Sequence, residues 1–380
     1  IFFSTINPKL TIKTFLKLKK FFLYKKEPKI KYFEYNSKLR NWNINFNFQN
    51  KFEEFLSKEL PKIIPKSVIE AYKHYIKEIN IHHKLNAKNI YLTTSGLNDV
   101  SKILISEQLK KKTKVINFQH GGNYGFIKNY TSEEHEIKNS DIFLTFGWGK
   151  KNILPTLNNI NCKIKKLVPL DFPKIIKKER KDLSNKLLFV LPHFEFYSFA
   201  NINESYPIYY EKLILIDQIA EIFNSLDSKI FKEIEVRFHP SDKISVKKYL
   251  ISKIKNNIKI IDAYNENFPV SFNKYSLCIS LYPGTSFLQT LYMDIPTLVF
   301  FDTKIWKIRN QSKGILNILK KNKIYFNDEK EMAKFINNSM DINKWWNYPR
   351  TKNAVNHFNT LFANNKNIEN KYMNFIKTTI

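Results

Sequence analysis

From residue 88 onward the chain alternates short β-rich runs with helical stretches, pauses once, and then repeats the alternation. Strands separated by helices pair in parallel, because a parallel pair needs a crossover long enough to hold a helix. The first series is "NIYLTTS" (89–95), a helix over 98–112 opened by Asn98, "KVINFQHGG" (114–122), "SDIFLTFGW" (140–148) and "KIKKLVPLDFP" (163–173). A Lys-rich bridge over 174–186 interrupts it. The second series is "LLFVLPHF" (187–194), a helix near 207–226, "EIEVRFHP" (233–240) and a helix over "ISVKKYLISKIKN". Three more strands follow, "IKIID" (258–262), "LCISLY" (277–282) and "IPTLVFF" (295–301). The expected fold class is α/β, with two doubly wound, Rossmann-like domains over 88–175 and 186–327. Residues 1–87 read as a helical, basic segment joined to the first domain. Residues 328–380 read as a helical tail carrying "WWNYPR" (345–350).

A length of 380 residues suffices for two separate cores, and 43% apolar content is that of a globular chain. The net charge of +29 points to nucleic acid, an anionic membrane or acidic substrates. Part of that signal is discounted, because Lys, Asn, Ile and Phe are all in excess, as an AT-rich coding sequence would make them. No Arg-rich cluster or nucleic-acid module is visible, so no nucleic-acid partner is expected. "LTIKTFLKLKKFFLYKK" (10–26) has the apolar face of a packed helix, with its lysines elsewhere. The competing reading is a basic helix lying on anionic lipid. Cys162 and Cys278 give neither a disulfide framework nor metal-ligand spacing. Without a signal peptide or a run of ~18 apolar residues, the expectation is a cytoplasmic protein, able to associate peripherally with the inner membrane.

Ligands of open α/β sheets bind beyond the carboxyl ends of the strands, and three loops there carry chemistry. "QHGGNYG" supplies Gln119, His120, Gly121, Gly122, Asn123, Tyr124 and Gly125 as a cleft loop, in a chain with only eight glycines. Glycine permits positive φ and close approach of backbone to ligand. His120 is the first candidate for a general base, and Glu133, Glu134 and Glu136 of "SEEHE" the second. A tight turn with a structural histidine, followed by an acid-rich helix start, is the competing reading. In the second domain "VRFHP" presents Arg237, His239 and Pro240, after which Ser241 and Asp242 can cap the next helix. "LYPGTSFLQTL" places Gly284, Thr285 and Ser286 at a helix N-terminus, where free N–H groups and the dipole favour an anion. Together these two loops describe a pocket for a nucleotide phosphate. Dinucleotide and P-loop fingerprints, a nucleophile elbow, an Asp-x-Asp pair and a spaced His/Cys cluster do not occur, so neither cofactor nor metal is expected.

These residues resemble a GT-B glycosyltransferase. "RFHP … LCISLYPGTSFLQTL" is similar to a pattern shared by bacterial sialyltransferases, capsule Kdo transferases and CDP-glycerol glycerophosphotransferases. In those families the His-Pro and Ser/Thr elements hold the CMP part of the donor, which here implies His239, Pro240, Gly284, Thr285 and Ser286. "QHGGNYG", "SDIFLTFGWG", "RFHP", "PGTSFLQTL" and "WWNYPR", in that order, resemble a family of transferases encoded in O-antigen and other surface-carbohydrate clusters. The resemblance runs from about residue 88 to the end and covers 1–87 loosely. It implies an inverting, metal-independent glycosyltransferase of lipopolysaccharide or capsule-like polysaccharide synthesis. The implied partners are a CMP-activated acidic sugar, Kdo or a nonulosonate, and a glycan or lipid-linked glycan acceptor. The alternatives are a nucleotide-diphospho-sugar or CDP-glycerol-type transferase on the same fold, and a non-catalytic glycan- or nucleotide-binding subunit.

Overall fold

Parallel strands covered on both faces need unbroken apolar runs, and Leu187–Val190, Leu277–Ile279 and Leu298–Phe300 are such runs, buried throughout. The computed structural model describes residues 16, 31–44, 47–82, 90–93, 99–110, 112–128, 130–167, 184–194, 209–240, 242, 244–261, 270–338, 341–364 and 367–379. The first unit comprises α1 (Lys51–Ile63), α2 (Tyr72–His82), β1 (Ile90–Thr93), α3 (Asp99–Lys110), β2 (Lys114–Phe118), α4 (Thr131–Lys138), β3 (Ile142–Thr145) and β4 (Lys163–Lys166). The second comprises β5 (Ser184–Val190), α5 (Tyr209–Asn224), β6 (Ile234–Arg237), α6 (Ile244–Ser252), β7 (Lys259–Ile261), β8 (Tyr275–Ser280), α7 (Thr285–Tyr292), β9 (Thr297–Phe300), α8 (Asn310–Lys321) and β10 (Tyr325–Phe326). Four helices follow, α9 (Glu329–Asn338), α10 (Ile342–Asn347), α11 (Pro349–Phe362) and α12 (Ile368–Thr379).

The first sheet has four strands in the order β1-β2-β3-β4, the second six in the order β10-β9-β8-β5-β6-β7. Among the described residues, all pairings between these strands are parallel. Counted from β5, the second sheet has the Rossmann order, and the chain reverses its direction of build between β5 and β8. Val190 lies beside Arg237 on one side and Ser280 on the other. The loops after β5, β6 and β8 therefore leave the sheet edge side by side, at the topological switch point. The fold is α/β and GT-B-like, two Rossmann-like units with a helical C-terminal tail; among the described residues only the second is doubly wound, since the first sheet runs from β1 to β4 in chain order without a reversal.

Some boundaries differ from the sequence reading. β5 starts at Ser184, inside the expected bridge, with a register shift against β8 between Ser184 and Leu187. β10 was not expected, since two residues are too few to show a period. Segment 10–26 apart from Leu16, Asn98, and residues 168–183 lie outside the described residues.

The tail returns to the first unit. Phe358 and Phe362 of α11 share one buried cluster with Tyr124, Phe126 and Trp148 of the first unit and Phe287, Phe301 and Trp306 of the second. Asn364 N–H donates to Phe146 O at 2.8 Å. "WWNYPR" anchors this return: Trp346 is buried and donates to Asp294 Oδ1 at 3.0 Å, while Pro349 opens α11, where no N–H is required. Near the other end, Arg40 closes α1 by donating to the carbonyls of Pro61 (2.8 Å) and Ile64 (2.9 Å). Its guanidinium also grips Glu70, holding that carboxyl down at about 2. Among the described residues no helix is long and apolar enough to cross a membrane.

Candidate active site

β2 delivers Gln119 and His120 to the edge of the first sheet, and α4 supports the loop from behind. Gln119 is buried and fully used. Its Oε1 accepts from Phe146 N (2.9 Å) and Trp148 Nε1 (2.7 Å), and its Nε2 donates to Gly121 O (2.7 Å). Asn123 turns the chain, its carbonyl accepting from the N–H groups of Phe126 and Ile127.

His120 Nδ1 lies 2.9 Å from Glu136 Oε1 and 2.7 Å from the Tyr124 hydroxyl. Tyr124 donates to the other carboxylate oxygen, Glu136 Oε2, at 2.8 Å. The Glu136 side chain is fully buried, whereas a quarter of the imidazole is exposed. Burial pushes the Glu136 carboxyl up, and its bond to His120 opposes that shift. Because Tyr124 gives its own proton to Glu136, its oxygen is left to accept at Nδ1; that fixes the tautomer with the proton on Nδ1, beside the carboxylate, and leaves Nε2 as the basic nitrogen.

The three glutamates of "SEEHE" have three different environments. Glu136 serves His120. Glu133 is buried in a two-pronged ion pair with Arg309, at 2.7 and 3.0 Å, and accepts from Gly125 N–H at 2.8 Å. Its carboxyl is pushed up by burial, which Arg309 opposes. Glu134 pairs with Lys138 on the outer face at 2.7 Å. As bases, Glu133 and Glu134 are therefore corrected: the first is held by a guanidinium and the second faces away from the loop.

The glycines serve different needs. Among the described glycines only Gly125 has positive φ, at 71°, and the Trp148 ring covers it. Gly122 is needed for contact. A Cβ there would fall 2.8 Å from Gly284 O and 3.0 Å from Thr285 Cα, and both neighbours are backbone. Gly122 N–H also donates to Thr285 Oγ1 at 3.1 Å. His120 thus sits two residues from a direct seam between the two units. Gly122→Val should force that seam apart, costing roughly 1–3 kcal/mol as an overpacked contact and abolishing turnover. Gly121→Ala, whose Cβ would meet its neighbours at 3.6 Å or more, should be tolerated. Melting temperature and turnover of the two variants check this.

In the second unit, β6 ends at Arg237, whose guanidinium is electrostatically coupled to the Tyr282 phenol. His239 is exposed, and Pro240 follows it in the loop. His239 stacks on His193, from the loop after β5, with centroids 4.3 Å apart. Asp242, expected as a cap of α6, reaches back to the strand-end loops. Its Oδ1 accepts from Phe194 N–H at 2.8 Å and its Oδ2 from His239 N–H at 3.1 Å, tying two strand-end loops together. Ser241 lies outside the described residues. Ligand atoms of His193, His239 and Asp242 come within 4.8 Å of one another, a grouping that spacing along the chain had hidden. Gly284 is required because Tyr282 lies across it, 1.8 Å from where a Cβ would stand. Both hydroxyls of the α7 start have protein partners: Thr285 takes Gly122 N–H, and Ser286 bonds to Tyr282. Gly284 offers no side chain to cap the helix, and the first-turn N–H groups of α7 have no acceptor within it.

The sequence reading had passed over His193, Tyr282 and Arg309. His193 follows β5 directly, so the strand-end rule that found His239 also finds it. Tyr282 lies within the quoted "LYPGTS". Arg309 has no local signal, because its partners Glu133 and Ile127 are far away in sequence.

The chain thus joins an imidazole–carboxylate pair on one α/β unit to strand-end loops at the switch point of the other. Residues 3–376 match the LIC12162 family transferase profile, and the chain belongs to that family; it is a transferase. No curated protein sequence matches it. Similar solved structures include Anabaena Alr3699/HepE in complex with UDP and glucose, at 9% identity over 82% of each chain and a TM-score of 0.46. Another is a UDP-forming alpha,alpha-trehalose-phosphate synthase from Burkholderia vietnamiensis, at 10% identity over 81% of this chain and 80% of that one, TM-score 0.46. A third is the wall teichoic acid polymerase TagF, at 12% identity over 80% and 84%, TM-score 0.40.

Proposed function

We propose that this transferase is an inverting glycosyltransferase of surface-polysaccharide synthesis, working at the cytoplasmic face of the inner membrane. The observation that carries this reading is the His120–Glu136 pair, two residues from the seam with the N-terminal turn of α7. The donor is a nucleotide-linked sugar, with CMP as its nucleotide and an acidic sugar, Kdo or a nonulosonate, as its glycosyl group. Its phosphate lies in the crevice between the loops after β5, β6 and β8, against His239, Arg237 and the first-turn N–H groups of α7. The acceptor is a hydroxyl of a glycan or lipid-linked glycan. His120 Nε2 takes the hydroxyl proton while the oxygen attacks the anomeric carbon. The bond from that carbon to the phosphate oxygen breaks, and the nucleotide leaves with the electron pair. Glu136 and Tyr124 hold the imidazolium that results. One base and one leaving-group site suffice for a single displacement, which inverts the anomeric centre.

No metal enters this scheme. The Asp242 oxygens accept the backbone N–H groups of Phe194 and His239, and we assign the carboxylate the role of tying the loops after β5 and β6 together. Thermal shift with CMP, CDP, UDP and GDP in EDTA tests the reading. Stabilisation by CMP, lost in His239→Ala with a drop of about ten- to a hundredfold in affinity, is the expected result. Stabilisation by UDP, GDP or CDP alone would reassign the donor. No response to any nucleotide would remove the donor site.

A further inference from the structure

Beyond the strand-end site, a cavity of about 480 Å³ opens along α8, a size within the roughly 300–1,000 Å³ of ligand sites. Lys128, Lys307, Lys313 and Lys320 line it, together with Asn310 and Asn317, and no acidic residue does. Lys313, Asn317 and Lys320 stand on one face of α8, with Asn310 one turn earlier, at helical spacing. Lys128 and Lys307 meet where the first unit hands over to the second: Lys128 N–H donates to Lys307 O at 2.6 Å, beside the bridge of Ile127 to Ile308. The groove therefore starts at the far end of the loop that carries His120.

Like charges along one groove repel, and four lysines without an acid among them favour a ligand that brings the counter-charge. The neutral partners narrow its chemistry. Asn amides both donate and accept, which suits hydroxyl groups as well as carboxylates. Bases of a nucleic acid would need exposed aromatic faces to stack on, and the one aromatic in the lining, Tyr325, is buried with its hydroxyl donating to Phe301 O at 3.1 Å. We propose that this groove binds an anionic glycan, the charged chain of the acceptor. The proposal rests on the glycosyltransferase reading above and adds to it the class of acceptor.

The test uses the full chain and a short fluorescent oligogalacturonide, with a neutral maltooligosaccharide of equal length as comparison. The protein should bind the acidic probe and not the neutral one. Lys307→Gln/Lys313→Gln/Lys320→Gln should weaken that binding by at least about tenfold and reduce its salt dependence, since fewer counter-charges are exchanged. Lys58→Gln/Lys62→Gln/Lys73→Gln makes the same change in net charge on α1 and α2 and should leave binding unaltered. The proposal is overturned if both triple variants lose affinity equally, if the wild type ignores the acidic probe, or if a single-stranded oligonucleotide of equal charge binds the groove more tightly. Nucleotide thermal shift on the same proteins keeps the two readings apart. The groove variant should retain its nucleotide response, and absence of that response in the wild type would count against the donor site alone.

Discussion

His120→Ala is expected to reduce turnover by about 10²–10⁴-fold, the contribution of a positioned base, while nucleotide affinity stays within about twofold, since the proposed donor site lies on the other unit. Glu136→Gln should take part of the same loss. The glutamine amide can still reach the ring, but the charge that favours the imidazolium is gone. An imidazole without that neighbouring charge is harder to protonate, so the acid limb of the pH–rate profile should move to lower pH. A purely structural Glu136 would lower stability without moving that limb. Turnover and nucleotide affinity measured together on His120→Ala decide the assignment. Loss of both transfers His120 to donor binding, and loss of neither makes the loop a structural turn.

Arg309→Met should produce the largest loss of stability, about 3–5 kcal/mol, because it leaves a buried carboxylate with no cation. Glu133 would then rely on the Gly125 N–H alone. Burial already pushes its carboxyl up, and removing the guanidinium pushes it further. A carboxyl raised in the folded state stabilises the fold when protonated and loses that contribution as pH rises through its folded value. The deficit of Arg309→Met should therefore be smaller in acid and grow toward neutrality. Adding Glu133→Gln should recover most of the loss at neutral pH. Arg309→Lys should recover little, since a lysine cannot match the two-pronged contact with both carboxylate oxygens. Denaturant melts of the wild type, these three variants and Glu133→Gln alone, across pH, check this.

Much of this site could be read from the sequence because strand ends are visible as apolar runs that stop. That rule located His120, His239 and Gly284, and applied to "LPHF" it would have located His193. It could not choose among Glu133, Glu134 and Glu136. α4 has eight residues, too few for its hydrophobic pattern to reveal which side faces inward. Glu133 and Glu136 are three apart and share the buried face, whereas Glu134 turns toward Lys138. Gly122 was expected to serve a positive φ or the close approach of a ligand, and in the structure it has no positive φ and makes room for the Gly284 backbone. No local pattern announces that need, since the two glycines meet across 162 positions of chain. Arg309 was invisible for the same reason.

Because Glu133 and Glu136 lie on one short helix, α4 works as a bracket bolted at two points. One bolt runs to Arg309 on the second unit, and the other holds the imidazole that would take the acceptor's proton. Swinging the two halves apart would pull the bracket out of line with the base it supports. On the proposed mechanism, this would act as an interlock: a base at His120 would be correctly aimed only while Glu133 keeps its grip on Arg309. A solvent-filled, open molecule would be poorly set up to spend an activated sugar on water.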